Sequence, residues 1–150
     1  MGSEMCIRDR ANESTNRVGR WHGPCAGGER RAMTNNENAS HTFHVYEVAK
    51  ELARAARPLI ERIERRDRSL ADQGRRATQS VILNVREGNR RAGRDRLHSF
   101  RIAAGSADEL VGALDVAEVM GYLAPADIVA ALALADRVLA MLYRLANPGR

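Results

Sequence analysis

The stretch from Leu70 to Gly88 most constrains the fold, because its apolar residues repeat with the period of an α-helix. Residues spaced three and four apart lie on one face of a helix, and an apolar face packs against a core. We predict an amphipathic helix that follows Asp67 or Ser69 as N-cap and ends at Glu87, with Gly88 in the left-handed position after it. Its apolar face consists of Leu70, Gly74, Ala77, Val81 and Val85.

A strip of polar residues, Ser80, Asn84 and Glu87, runs beside this apolar face. The helix has few long aliphatic side chains, so the strip predicts a close and specific contact with a second helix. Gly105 and Ser106 lie in a later helical segment, where glycine lowers helix stability by about 1 kcal/mol relative to alanine. We expect these two small residues to let the polar strip approach closely. The residues with predicted structural roles are Gln73, Ser80, Asn84, Glu87, Gly88, Gly105 and Ser106.

Three further segments have the same period and predict three more helices. In the first, Thr42 is the expected N-cap, and Pro58 predicts a kink or a break because proline lacks a backbone N–H. Short connections favour antiparallel neighbours, so residues 41–147 are predicted to form an all-α, up-and-down antiparallel four-helix bundle. The three helices span about Phe43–Arg65, Asp95–Gly121 and Ala126–Leu145, and the connections are 66–69, 89–94 and 122–126.

The N-terminal part of the chain has a different character. Residues 1–32 are rich in turn formers and show neither a helical nor a strand period. We therefore predict that residues 1–40 form a disordered or non-native extension and that Met33 is the native start. No apolar run approaches the roughly 20 residues of a membrane span, so we expect a cytoplasmic protein without a membrane partner.

Positive charge is concentrated in the middle of the sequence. From Arg54 to Arg101 there are 14 Lys and Arg against 6 Asp and Glu, whereas from Ile102 to Arg150 there are 3 against 6. Such asymmetry predicts an anionic partner, because guanidinium groups grip phosphate oxygens with paired hydrogen bonds. The alternatives are internal ion pairing and a merely solvated helix face. The predicted RNA or DNA contacts are Arg75, Arg76, Arg86, Arg90, Arg91 and Arg94.

Enzymatic and metal-dependent functions find little support in the sequence. Glu87 beside Asn84 would suit a general base, but no nucleophile, metal ligand set or phosphate loop accompanies them. Asp95-x-x-His98 is a single pair where di-iron bundles need two Glu-x-x-His motifs and two further glutamates. We predict no catalytic residue, metal or cofactor. The histidine pair His41 and His44 and the cysteines Cys6 and Cys25 lack partners at ligand spacing.

The last predicted helix is apolar around more than one face. Val129, Ala133, Leu134, Met141 and Tyr143 lie outside its main apolar stripe. A helix that is apolar nearly all round is normally buried on both sides. In a domain of four helices the second side needs another chain, so we predict a homo-oligomer. The alternative is an unusually wide core face.

Two blocks of the sequence together resemble one protein family over about Phe43 to Leu145. The first block is Gln73, Arg75-Arg76-Ala77, Ser80 and Asn84-x-x-Glu87-Gly88, and the second is Phe100, Ala103-Ala104-Gly105-Ser106, Glu109-Leu110 and Met120-Gly121-Tyr122-Leu123. They resemble the four-helix-bundle proteins encoded in intervening sequences of bacterial 23S ribosomal RNA genes, a group similar to the accessory variability protein of diversity-generating retroelements. The resemblance implies a non-enzymatic accessory factor that forms a pentamer, with a structured RNA or a reverse transcriptase as partner.

Overall fold

A computed structural model of the chain describes residues 35–147, and side chains from His44 onward. The described part contains four α-helices and no strand. The predicted all-α class is therefore confirmed, whereas the predicted extension lies largely outside the described residues. The helices are α1 (Asn35–Glu64), α2 (Arg68–Arg90), α3 (Gly93–Val119) and α4 (Pro125–Ala146).

Successive helices pack side by side, and α4 closes the bundle by packing against α1. Between α2 and α3, Ser80 contacts Ser106, and further along α2 Gly88 faces Phe100. The residue numbers rise along α2 while they fall along α3, so the two helices are antiparallel. The same relation holds for the contacts Tyr46–Arg86 and Glu64–Arg75 between α1 and α2, and for His44–Arg137 and Arg62–Asp127 between α1 and α4.

Helix α1 differs from the prediction at both its start and its middle. It begins at Asn35 rather than Phe43, so Thr42 lies inside the helix and is not the N-cap. Pro58 lies inside the helix, which continues to Glu64 without the predicted break. Pro58 and the preceding-turn residue Arg54 are exposed, so water can solvate the carbonyl that proline leaves without a donor.

The ends of α2 were predicted with mixed success. Asp67 is its N-cap, because the Asp67 carboxylate accepts the Leu70 N–H at 2.9 Å. Gly88 is not a left-handed cap: it lies inside the helix, is buried, and does not have a positive φ. Its small size instead lets α2 approach the ring of Phe100. The C-cap is Arg91, whose N–H donates to the Glu87 carbonyl at 3.1 Å.

The turn between α3 and α4 follows the prediction. Gly121 has φ 69° and ends α3, while the Tyr122 N–H donates back to the Ala117 carbonyl at 2.8 Å. This pattern is the Schellman motif, which needs one residue in the left-handed conformation, and glycine adopts that conformation without strain. Pro125 is at the start of α4, where its missing N–H would have no helical partner.

One ion pair joins this turn to α1. Arg62 Nη2 donates to Asp127 Oδ2 at 2.8 Å, and the same carboxylate accepts the Ala124 N–H at 2.9 Å. The hydrogen bond from Arg62 has the largest effect and the one from the Ala124 N–H the next largest, and both lower the pKa of the Asp127 carboxyl below its ordinary value. The contact fixes the first turn of α4 against the last turn of α1.

The core consists of aliphatic side chains and one aromatic ring, Phe100. The predicted apolar face of α2 is buried throughout. In α4, Leu134 and Met141 are half-buried and pack against the same core, so part of its second apolar side faces its own bundle. The largest side chains that are fully buried are Phe100, Leu52, Ile63, Leu110, Leu114 and Leu142.

Candidate nucleic-acid interface

The outer side of α2 carries a line of exposed residues opposite its buried face. These residues follow one another at spacings of three and four, so they lie on one stripe of the helix. With a rise of about 1.5 Å per residue, the stripe from Arg76 to Arg90 is about 21 Å long. We call it the outer stripe: it consists of Arg76, Gln79, Leu83, Arg86 and Arg90.

Two of the six predicted contact arginines lie beside the outer stripe and are engaged by carboxylates. Arg75 donates to Asp72 Oδ1 and, at 3.0 Å, to Glu64 Oε2 of α1. Arg91 donates to Glu87 Oε1 one turn earlier in the chain. These ion pairs engage three acidic groups that border the stripe. The six predicted arginines therefore differ in their surroundings, since Arg75 and Arg91 share their charge with carboxylates of the same chain.

The other four predicted arginines are exposed, and none pairs with a carboxylate within the part of the chain that the structure describes. Arg76 Nε donates to the Asp72 carbonyl at 3.2 Å, which leaves its terminal nitrogens available. The Arg86 guanidinium lies over the Tyr46 ring at 5.8 Å from the centroid. This contact orients Arg86 without neutralising its charge.

Arg90 and Arg94 lie on either side of the corner between α2 and α3. Only Arg91 and Ala92 separate the two helices, and Gly93 has φ 55°, a value that glycine adopts without strain. The corner thus adds Arg94 at the end of the outer stripe. We call Arg86, Arg90 and Arg94 the corner arginines.

Sequence reasoning missed a further set of arginines at the other end of α2. Arg65 and Arg66 in the α1–α2 turn and Arg68 in the first turn of α2 are exposed, and no carboxylate among residues 44–147 pairs with them. Arg68 is 18 residues before Arg86, which is five complete helical turns. That spacing was readable from the sequence and places Arg68 in line with the outer stripe.

The polar strip of α2 contacts α3 at Ser106, one of the two residues that were predicted to receive it. Ser80 Oγ and Ser106 Oγ are 2.7 Å apart, and Asn84 Nδ2 donates to Ser80 Oγ at 3.1 Å and to the Ser80 carbonyl at 2.9 Å. Ser106 is buried, and Ser80 and Asn84 are half-buried. The network satisfies these hydroxyls in the helix interface and fixes the register of α2 against α3.

Three of the other predicted structural residues, Gln73, Glu87 and Gly105, lie on the surface. Gly105 is exposed, and an added Cβ there would meet nothing within 4 Å, so the expected close approach at this glycine was wrong. It borders an open groove between α3 and α4 that Leu139 and Tyr143 also line. Gln73 and Glu87 are exposed, so Glu87 does not join Ser80 and Asn84 in the half-buried part of the polar strip.

Comparison with known families identifies the chain. Residues 41–144, more than half of its length, match the family described as 23S rRNA-intervening sequence protein. The chain belongs to this family. The resemblance predicted from its two sequence blocks is therefore confirmed. Searches of curated proteins and of solved structures give no match.

In this family member, exposed apolar side chains concentrate on α3 and α4. Six of the seven large apolar residues exposed in the described part belong to these helices and their shared turn, and the seventh is Leu83 of α2. The basic outer stripe and most of this apolar surface thus lie on different helices. The six are Ile102, Val116, Val119, Met120, Val129 and Tyr143.

The described residues of this family member contain no group of three or more His, Cys, Asp or Glu side chains placed to hold a metal ion. Asp95 and His98 are both exposed, and His44 Nε2 lies 3.2 Å from Arg137 Nη2. His41, Cys6 and Cys25 have side chains outside the described part. No helix between residues 35 and 147 is long and apolar enough to cross a membrane.

Proposed function

We propose that this protein is a non-enzymatic accessory factor that binds structured RNA or DNA through the outer stripe of α2 and the adjoining corner. One observation carries the proposal: Arg76 and the corner arginines are exposed and lack carboxylate partners among the described residues. Arg75 and Arg91 hold the neighbouring acidic groups. An excess of guanidinium groups along one helix suits a polyanion, whose charges also lie in a line.

The contacts would be to phosphates rather than to bases. Arginine most often reads a guanine edge from a helix or strand that enters the major groove, whereas an exposed arginine on the outside of a bundle reaches backbone oxygens first. Such contacts supply affinity with little choice of sequence. A structured RNA is a reasonable first ligand, because the family's description refers to 23S rRNA.

We also propose that copies of the chain associate through the apolar surface of α3 and α4. Val119 is 84% exposed and Val129 62% exposed, and large apolar groups gain stability when a partner removes them from water. Assembly would repeat the corner arginines once per copy. Weak phosphate contacts would then add through avidity.

A second function, a purely structural or protein-binding bundle, is favoured by one observation. Leu83 lies in the middle of the outer stripe and is 66% exposed, which suits an apolar protein contact better than a phosphate. The two functions differ in their salt dependence. Phosphate binding weakens steeply as salt rises, whereas apolar contacts do not.

The proposed function is tested by binding of a fluorescent RNA hairpin at low salt, measured by anisotropy. The test variant is Arg86→Ala/Arg90→Ala/Arg94→Ala. The control is a variant of Arg54, Arg101 and Arg144 to alanine, which removes the same charge from exposed arginines on α1, α3 and α4. If each lost contact contributes about 0.5–1 kcal/mol, the test variant binds at least about tenfold more weakly than wild type. The control variant binds like wild type.

Sedimentation of all three proteins verifies that they assemble equally, so that a change in avidity cannot imitate a lost contact. If wild type and test variant bind equally, or if the control loses as much as the test variant, the outer stripe is not the binding surface.

A further inference from the structure

We infer that the binding surface continues along α2 to a second group of arginines in the α1–α2 turn, so that one duplex is held at both ends of the helix. We call Arg65, Arg66 and Arg68 the turn arginines. This inference rests on the proposed function. It adds the class of nucleic acid, a double-stranded segment about one helical turn long.

The geometry of α2 places the two groups on one side of the bundle. Arg68 and Arg86 are 18 residues apart, which is five complete turns, so they lie on the same side of the helix. The distance between them along the helix axis is about 27 Å. From Arg68 to Arg90 the distance along the axis is about 33 Å. One turn of B-form DNA is about 34–36 Å long, so a strand that touches one end of the line returns near the other end after one turn.

The turn arginines are available because nearby acidic groups are already occupied. Asp67 lies between them, and its carboxylate accepts the Leu70 N–H as the cap of α2. Glu64, at the end of α1, is held by Arg75. Arg65, Arg66 and Arg68 are exposed, and no carboxylate in the described range pairs with them.

The residues between the two groups favour a duplex over a single strand. Proteins that bind single strands stack the bases on aromatic side chains, and each stacked base contributes about 1–3 kcal/mol. The middle of the outer stripe presents Gln79 and Leu83, neither of them aromatic. The neighbouring ring of Tyr46 already faces Lys50 at 5.0 Å and Arg86 at 5.8 Å. Most of the arginines along α2 that lack carboxylate partners in the described part of the chain lie near its two ends, which suits a duplex whose backbone returns once per turn.

The experiment is a titration of blunt DNA duplexes of about 6, 12, 18 and 24 base pairs at low salt, chosen to lie below and above one turn. The turn variant carries Arg65→Ala, Arg66→Ala and Arg68→Ala. The corner variant (Arg86, Arg90 and Arg94 to alanine) and the control variant (Arg54, Arg101 and Arg144 to alanine) remove equal charge.

Duplexes of 12 base pairs or more reach both groups, whereas the shortest reaches one at a time. The turn variant is therefore expected to bind the shortest duplex within about twofold of wild type and the longer ones about tenfold more weakly. The control variant follows wild type at every length.

Two results would overturn the inference in different ways. If the turn variant binds long duplexes like wild type while the corner variant does not, the second contact is absent and the proposed function stands. If neither variant loses affinity, the proposed function fails as well. An equal loss by the turn variant at every length would show that the two groups are not spanned by one duplex.

Discussion

Gly88 of α2 lies directly against the ring of Phe100 in α3: a Cβ at position 88 would be 2.6 Å from Phe100 Cε1. Phe100 is fully buried, so its ring has no room to withdraw. We expect Gly88→Ala to lower the free energy of unfolding by about 1–3 kcal/mol despite the better helix propensity of alanine. Chemical denaturation measures this change.

Gly74→Ala is the matched control for this prediction. A Cβ at position 74 would be 3.4 Å from Ile60 Cγ1 and 3.9 Å from Ala113 Cβ, which are ordinary or slightly tight contacts. Alanine favours the helix over glycine by up to about 1 kcal/mol, so the Gly74→Ala variant should be as stable as wild type or more stable. The packing role of Gly88 would be wrong if the two variants had the same stability.

The Ser80–Ser106 hydrogen bond should appear as a coupling energy. A double-mutant cycle with Ser80→Ala and Ser106→Ala is expected to give about 0.5–1.5 kcal/mol, since each single variant leaves the other hydroxyl in a helix interface. Denaturation of the four proteins measures it. Ser99→Ala shows the effect of removing a buried hydroxyl that does not join two helices, because Ser99 bonds only to the Asp95 carbonyl of its own helix. A coupling near zero would mean that the serine pair does not tie α2 to α3.

The Arg62–Asp127 pair should make stability depend on pH. The pKa of the Asp127 carboxyl is lower in the folded protein than in the unfolded chain. The contribution of this carboxylate to stability is therefore fully present above its unfolded-state pKa, and it is lost as the pH falls through its folded-state pKa. Asp127→Asn should therefore be less stable than wild type at neutral pH, and the difference should shrink in acid. Thermal unfolding across this range measures it. A difference that stayed constant with pH would exclude the charge of Asp127 as its cause.

Arg75 should support nucleic-acid binding indirectly. Arg75→Ala frees the carboxylates of Asp72 and Glu64 beside the outer stripe, so the affinity for a duplex is expected to fall several-fold at low salt. Adding Asp72→Asn and Glu64→Gln to that variant should restore it, because no unpaired negative charge then remains there. Anisotropy titrations of the single and triple variants measure this. A failure to restore binding would make Arg75 a direct contact.

The helices could be predicted from the sequence because their information is local. The period of the apolar residues from Leu70 to Val85 predicts both the helix and its buried face, and Asp67 marks its start. The function of Gly88 could not be predicted, since a glycine near a helix end resembles a cap until the neighbouring Phe100 is known. Both interpretations fit the same residue in the sequence.

The candidate site was harder to predict because one of its ion pairs joins residues on two different helices. Arg75 pairs with Glu64, 11 residues away on another helix, so counting arginines could not separate the paired ones from the free ones. The turn arginines were missed for a different reason. Arg68 lies in line with the outer stripe only if α2 begins before it, and the sequence left both Asp67 and Ser69 open as the N-cap.

The salt dependence of duplex binding tests the central claim most directly. Each phosphate contact contributes about −0.9 to the slope of log K against log salt concentration. Wild type should show a steep negative slope, the variant of Arg86, Arg90 and Arg94 to alanine a slope shallower by about 2.7, and the variant of Arg54, Arg101 and Arg144 to alanine an unchanged one. Equal slopes for wild type and the corner variant, or no dependence on salt at all, would contradict phosphate binding by the outer stripe.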